Sequence, residues 1–147
     1  MDEGRTSETV CEQIRDGDIF HGMDFTGMDF TGADLSGGIF IETRLDRCDF
    51  TGARIKEAVF ENCTLGGACF SKAFLDGTAF IHADLRQALF ADIAAGLLKF
   101  ISARMAGADF SRAGLRDLCV FTEADLTGAC FKNACLTETV FNDCALN

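Results

Sequence analysis

Large apolar residues recur at every fifth position along most of the chain. The series begins at Phe20, runs to Leu115, gains one residue, and resumes from Phe121 to Leu146. Small residues, mostly Ala or Cys, stand two positions before these centres, and Gly often stands two positions after them. Because a period of five fits neither a helix nor a long strand, we predict very short strands joined by tight corners.

Centres that lie four units apart are of the same kind, which predicts a coil of four units. One set is aromatic throughout and comprises Phe20, Phe40, Phe60, Phe80, Phe100, Phe121 and Phe141. The opposite set comprises Phe30, Phe50, Phe70, Phe90, Phe110 and Phe131. The two sets between them are mainly aliphatic. This alternation predicts two phenylalanine ladders inside a closed coil.

Several units share one motif in which a small residue, an aspartate and a leucine are followed by two variable residues. Examples are Ala33-Asp34-Leu35-Ser36-Gly37 and Ala124-Asp125-Leu126-Thr127-Gly128. The chain therefore resembles the pentapeptide-repeat family, with its A(D/N)Lxx unit. The resemblance implies an all-β fold, namely a right-handed quadrilateral parallel β-helix. This solenoid would have about 6.5 coils over residues 18–147.

Residues 1–17 break the period, since Arg15 stands where a core centre would lie. We expect an N-terminal cap segment that contains a short helix, with Ser7 or Thr9 as its N-cap. The apolar residues Val10, Cys11 and Ile14 of this helix would then face and cover the first coil.

The chain is acidic, with 13 Lys and Arg against 23 Asp and Glu and a net charge of −10. This sign opposes direct binding to nucleic acid or to an anionic membrane. Its apolar stretches are too short to cross a bilayer, and the first residues show no apolar segment of a secretory signal. We therefore expect a cytoplasmic protein.

The eight cysteines do not predict a disulfide framework or a metal site. The register places Cys48, Cys63, Cys119 and Cys144 in the core and Cys69, Cys130 and Cys135 outside, with no converging histidines. We expect reduced thiols, no metal and no cofactor, and leave the role of the outward cysteines open. Since no long insertion builds a groove, we expect no catalytic activity.

One face of the predicted coil, here named the Phe20 wall, is apolar on its outside as well as its inside. Its outward positions include Ile39, Ile41, Val59, Ile81, Ile101, Val120 and Val140, whereas the other faces carry charged and hydroxyl residues at the same positions. Strand propensity alone would affect all faces equally. We therefore predict that these seven residues bind another protein.

Two functions follow from these patterns. The first is a non-catalytic scaffold or adaptor that binds a protein through its side walls. The second comes from the resemblance, because Qnr-type and MfpA-type members are acidic DNA mimics that bind DNA gyrase or topoisomerase IV. The acidic contact of such a mimic would comprise Asp24, Asp29, Asp34, Asp49 and Asp109. A homodimer is expected in either case, while the identity of the partner, and the role of the C-terminal end in dimerisation, stay open.

Overall fold

The computed structural model describes residues 4–146, so residues 1–3 of the predicted cap segment and residue 147 lie outside the described residues. The fold is a parallel β-solenoid of about six turns, preceded by one short helix. The predicted fold class is therefore confirmed.

Helix α1 spans Ser7–Arg15 and packs on the first turn of the solenoid. Its N-cap is Thr6, whose hydroxyl oxygen accepts a hydrogen bond from the backbone N–H of Thr9 at 3.2 Å. The prediction that Ser7 or Thr9 caps the helix was wrong, because Thr6 keeps extended backbone angles and already satisfies that N–H. Val10 and Cys11 are buried, as predicted, and Ile14 packs against the core.

Within residues 4–146, nine short strands follow the helix, and their parallel pairing builds the turns. They are β1 (Phe20–His21), β2 (Ile39–Ile41), β3 (Val59–Glu61), β4 (Ala79–Ile81), β5 (Ala94–Gly96), β6 (Lys99–Ile101), β7 (Gly114–Arg116), β8 (Val120–Thr122) and β9 (Val140–Asn142). A seven-stranded sheet in the order β1-β2-β3-β4-β6-β8-β9 forms the Phe20 wall. Strands β5 and β7 belong to the Leu35 wall, whose centres are Leu35, Ile55, Leu75, Ala95, Leu115 and Leu136. The Phe30 wall contains the second phenylalanine set, and the Leu45 wall has the centres Phe25, Leu45, Leu65, Leu85, Met105, Leu126 and Leu146. Isolated parallel bridges connect the turns on these three walls.

The corners between the walls have positive φ angles. Some are glycines, such as Gly27 at 74°, but many carry side chains, such as Glu42 at 48°. Non-glycine residues are strained in this region, so neighbouring contacts must hold them there. The N–H of Glu42 donates to the carbonyl of Glu61 in the next turn at 2.9 Å. Ladder bonds of this kind fix the corner.

The core is built from the two predicted phenylalanine ladders. Phe60 and Phe80 stack with ring centroids 4.9 Å apart, and Phe70 and Phe90 stack at the same distance. Rings of different ladders meet edge to face, as between Phe80 and Phe90. Both geometries are favourable for aromatic pairs.

Cysteines in the core act as small, slightly polar residues. The thiol of Cys48 donates to the carbonyl of Phe25 at 3.0 Å, and burial raises the pKa of this thiol to about 12. The thiol of Cys63 bonds to the carbonyl of Phe40 in the same way, and its pKa is raised to about 11. These thiols stay protonated and unreactive in the folded protein.

The extra residue before Phe121 lies in a corner. Asp117 and Leu118 both adopt positive φ there and widen the turn between β7 and β8. The strand register is unaffected, since Phe100 pairs directly with Phe121. The small centre Ala95 is compensated by the larger side chains of Ile93 and Leu98, which are buried beside it.

Candidate functional site

The structure places all seven predicted contact residues on the outer surface of the Phe20 wall. Each flanks a buried phenylalanine, and six are half-buried while Val140 is 37% exposed. Ile39 pairs with Val59, Ile81 with Ile101, and Val120 with Val140 in adjacent strands. These β-branched side chains lie in two columns along the wall, named here the apolar columns. The first also contains Ala79 and Lys99, and the second also contains His21, Glu61, Thr122 and Asn142. That they contact a partner stays a prediction.

The wall is long, narrow and flat. Seven strands at about 4.8 Å spacing give a length of about 29 Å, and three residues per strand give a width of about 10 Å. Backbone groups within the wall are used in the ladder between turns, as in the bond from the N–H of Val59 to the carbonyl of Gly38 at 2.9 Å. A partner on this face would therefore meet side chains.

Three exposed apolar residues next to this wall were missed by the sequence analysis. Ile19, which precedes β1, is 57% exposed, and Leu97 and Leu118 are 53% and 55% exposed. Both leucines occupy corners with positive φ, two residues before Lys99 and Val120 of the wall. The available signal was leucine at a corner position, where other corners carry glycine or polar residues.

Two further exposed apolar side chains lie on other walls and are isolated there. Phe74, on the Leu35 wall, bridges to Arg54 and Ala94, and Leu89, on the Phe30 wall, bridges to residues 69 and 109. Neither belongs to an apolar column like those of the Phe20 wall. Single exposed apolar residues of this kind are common on protein surfaces.

The five aspartates of the alternative acidic contact are spread over three walls. Asp29 and Asp49 lie side by side on the Phe30 wall, and Asp109 lies further along it between residues 89 and 130. Asp24 and Asp34 lie on the Leu45 and Leu35 walls, where each bridges to an arginine, at positions 44 and 54. The structure thus brings together Asp29 and Asp49 and separates the rest.

These aspartates also stabilise the backbone locally. A carboxylate oxygen of Asp29 accepts the N–H of Thr31 at 2.9 Å, and Asp34 accepts the N–H of Ser36 at 3.1 Å. Hydrogen bonding to the side-chain hydroxyls of Thr31 and Ser36, and then to these N–H groups, lowers the pKa of both aspartates from the ordinary value. Their sequence pattern, an aspartate followed two residues later by Ser or Thr, is explained by this turn geometry.

The net charge of the solenoid is concentrated on the Phe20 wall and its two corners. That region carries seven acidic residues and one lysine, Lys99; the acidic residues are Glu42, Glu57, Glu61, Asp117, Glu123, Glu138 and Asp143. The remainder of residues 19–147 carries ten acidic and ten basic residues, so the other walls are neutral as a whole.

Ion pairs also differ between the Phe20 wall region and the other walls. On the other walls, Arg86 contacts Asp84 at 2.7 Å and Arg112 contacts Asp92 at 2.8 Å. Around the Phe20 wall, Glu42 contacts His21 at 3.4 Å and Asp117 contacts residue 116 at 3.5 Å. Within residues 4–146, the other five acidic residues of this region have no basic group within ion-pair distance. Their charge is available to a partner.

The outward cysteines behave differently from those of the core. The sulfur of Cys130 lies 3.4 Å from the hydroxyl of Ser111, and that of Cys135 lies 3.1 Å from the hydroxyl of Thr137. These contacts lower the pKa of both exposed thiols. All eight cysteines are free. In the part of the chain that the structure describes, no three His, Cys, Asp or Glu side chains converge as a metal site requires.

A cleft of about 420 Å³ lies between α1 and the first turn of the solenoid. Glu8, Glu12, Arg15 and Thr31 contribute to its lining, together with Cys11. Burial raises the pKa of the Cys11 thiol, which disfavours the nucleophilic thiolate. The cleft therefore does not activate Cys11 as a nucleophile. Residues 4–146 also contain no helix with the length and apolarity that a membrane span needs.

Comparison with known protein families agrees with the repeat geometry. A family model described as pentapeptide repeats matches residues 20–52, 29–67, 58–92 and 117–143, with eight copies in all. The chain belongs to the pentapeptide-repeat family. Members of this family are in general non-catalytic repeat proteins. The unmatched stretch between residues 92 and 117 contains the small centre Ala95 and the corner residue Leu97.

Solved structures of pentapeptide-repeat proteins are similar to this chain. Trypsin-treated QnrB1, a plasmid-mediated fluoroquinolone resistance protein, is 23% identical, with a TM-score of 0.59 over 89% of this chain and 84% of that chain. HetL, involved in heterocyst differentiation regulation in the cyanobacterium Nostoc, is 16% identical, with a TM-score of 0.37 over 92% and 94%. The QnrB1 likeness shows the shared fold. A search of the curated proteins found no match.

Proposed function

We propose that this pentapeptide-repeat protein is a non-catalytic protein-binding module that acts as a scaffold or adaptor. Its partner docks on the Phe20 wall. The single observation that supports this most is the pair of apolar columns on that wall, extended by the exposed leucines at positions 97 and 118. A flat apolar surface of this length is costly to leave in water and is typical of interaction sites.

Differential capture tests this function. Wild-type protein, the wall variant Ile41→Lys/Ile101→Lys and the control variant Phe74→Lys/Leu89→Lys are used as bait in lysate of cells that make the protein. The control makes the same chemical change at exposed apolar positions of other walls. We expect one protein to be retained by wild type and control and lost from the wall variant. A partner that is lost from the control but kept by the wall variant would refute docking on the Phe20 wall.

A second candidate function is an acidic DNA mimic that binds a type II topoisomerase. It is supported by the adjacent carboxylates of Asp29 and Asp49 on the Phe30 wall. Against it, the walls other than the Phe20 wall balance ten acidic with ten basic residues, whereas a duplex presents negative charge all round. We expect no inhibition in a gyrase supercoiling assay. Inhibition by wild type that is lost in Asp29→Lys/Asp49→Lys would establish the mimic instead.

Two further features belong to the proposal. The protein would work in the cytoplasm, where exposed thiols such as those of Cys130 and Cys135 stay reduced. It would also form a homodimer, which light scattering on the wild-type protein would test.

A further inference from the structure

We propose that the segment bound by the Phe20 wall is an amphipathic helix with an apolar stripe and lysine or arginine along both edges of that stripe. This inference rests on the proposed function and names the chemistry of its partner. Three observations support it: the dimensions of the wall, its apolar columns, and the position of its unpaired charge.

The dimensions of the wall suit one helix that lies along the solenoid axis. A helix of about 20 residues is about 30 Å long and about 10 Å wide with its side chains. The wall is about 29 Å long and about 10 Å wide. The column that precedes the phenylalanines and the column that follows them would contact the two sides of the apolar stripe.

The acidic residues lie where the edges of such a helix would be. Glu42, Glu123 and Asp143 occupy the corner positions along one side of the wall, and Glu57, Asp117 and Glu138 occupy those along the other. Four of these six corner residues lack an ion-pair partner within residues 4–146, namely Glu57, Glu123, Glu138 and Asp143, whereas the unpaired Glu61 lies within the wall itself. Basic residues that flank an apolar stripe would meet this charge on both sides.

The same charge argues against the other occupants of this wall. Two copies facing each other here would place six net negative charges against six, which opposes association. Nucleic acid and anionic lipid surfaces carry the same sign as the wall. A basic amphipathic segment satisfies both the apolar columns and the acidic corners.

Designed peptides of about 20 residues test the inference directly. Three peptides share one leucine stripe and carry lysine, glutamine or glutamate at the flanking positions, and their binding is measured by fluorescence anisotropy. The protein is used as wild type, as the corner variant Glu57→Gln/Glu123→Gln/Glu138→Gln, and as the control variant Asp29→Asn/Asp49→Asn/Asp125→Asn. The control makes the same change in net charge on other walls and keeps the side-chain acceptors of their turns.

We expect wild type to bind the lysine peptide about tenfold more tightly than the glutamine peptide at low salt, since a few exposed ion pairs contribute modestly each. This advantage should be lost in the corner variant and at high salt, and kept in the control. The inference is overturned if no peptide binds, if all three bind equally, or if the control loses as much as the corner variant. If the peptides fail in one of these ways but the wall variant still loses the natural partner in the capture experiment, the proposed function stands and the partner chemistry is wrong. If the peptides fail and capture does not depend on the wall, the proposed function itself is refuted.

Discussion

The ring of Phe121 stacks on that of Phe100 with centroids 4.8 Å apart, although 21 residues separate them instead of the usual 20. Their strands are in direct register. The additional residue is therefore absorbed at the corner formed by Asp117 and Leu118, before the chain re-enters the wall. Packing of the core fixes the register, and the corner adapts to it.

Deletion of Leu118 should accordingly be tolerated. It restores an ordinary five-residue unit, with Asp117 as its corner and Cys119 in the small core position. We expect the free energy of unfolding to change by no more than about 1 kcal/mol in urea titrations.

Deletion of Glu123, at the next corner, is the matched control. It leaves a four-residue unit and moves every later core centre out of position, so we expect loss of the last turn and a large drop in stability. Equal effects of the two deletions would contradict the role assigned to the 117–118 corner.

The phenylalanine ladder should dominate stability. Phe60 is fully buried and stacked on both sides, so Phe60→Ala leaves a cavity and should cost about 3 to 5 kcal/mol. Lys56 is exposed in the same turn, and Lys56→Ala should change stability by less than about 0.5 kcal/mol. Both values come from denaturant melts, and similar losses for the two variants would be inconsistent with the five-residue register.

Much of this architecture was predictable because the five-residue period is imposed by the core. Each centre must be large and each position two residues earlier must be small, so the ladders and the outward direction of Ile81 could be read from sequence. The corner leucines were not anticipated, since a corner accepts glycine, a polar residue or, as at Leu97 and Leu118, an apolar one. The concentration of charge beside the Phe20 wall emerges once every corner residue has been assigned to a wall.

The exposed and the buried cysteines should differ in the reactivity of their thiols. The exposed thiols of Cys130 and Cys135 have lowered pKa values, so iodoacetamide should modify them within minutes at neutral pH. Cys48 and Cys63 are buried with raised pKa values and should react when the protein unfolds. Mass spectrometry of the native protein checks this order. Alkylation of Cys48 as fast as Cys130 would show that the core is open to solvent.

Self-association should leave the Phe20 wall free, because this wall and its corners carry repulsive negative charge. Light scattering should give a dimer for wild type and for Ile81→Lys. A monomeric wild type would rule out the homodimer, and a dimer disrupted by Ile81→Lys would place the contact on the wall.

Site-specific photo-crosslinking in cells that make the protein tests docking on the Phe20 wall most directly. A photoreactive phenylalanine derivative is placed at position 81 or 118, beside the apolar columns, or at the exposed positions 74 and 89 of other walls. The account predicts a discrete crosslinked partner from positions 81 and 118 and none from positions 74 and 89. Crosslinks from positions 74 and 89, with none from the wall, would contradict it.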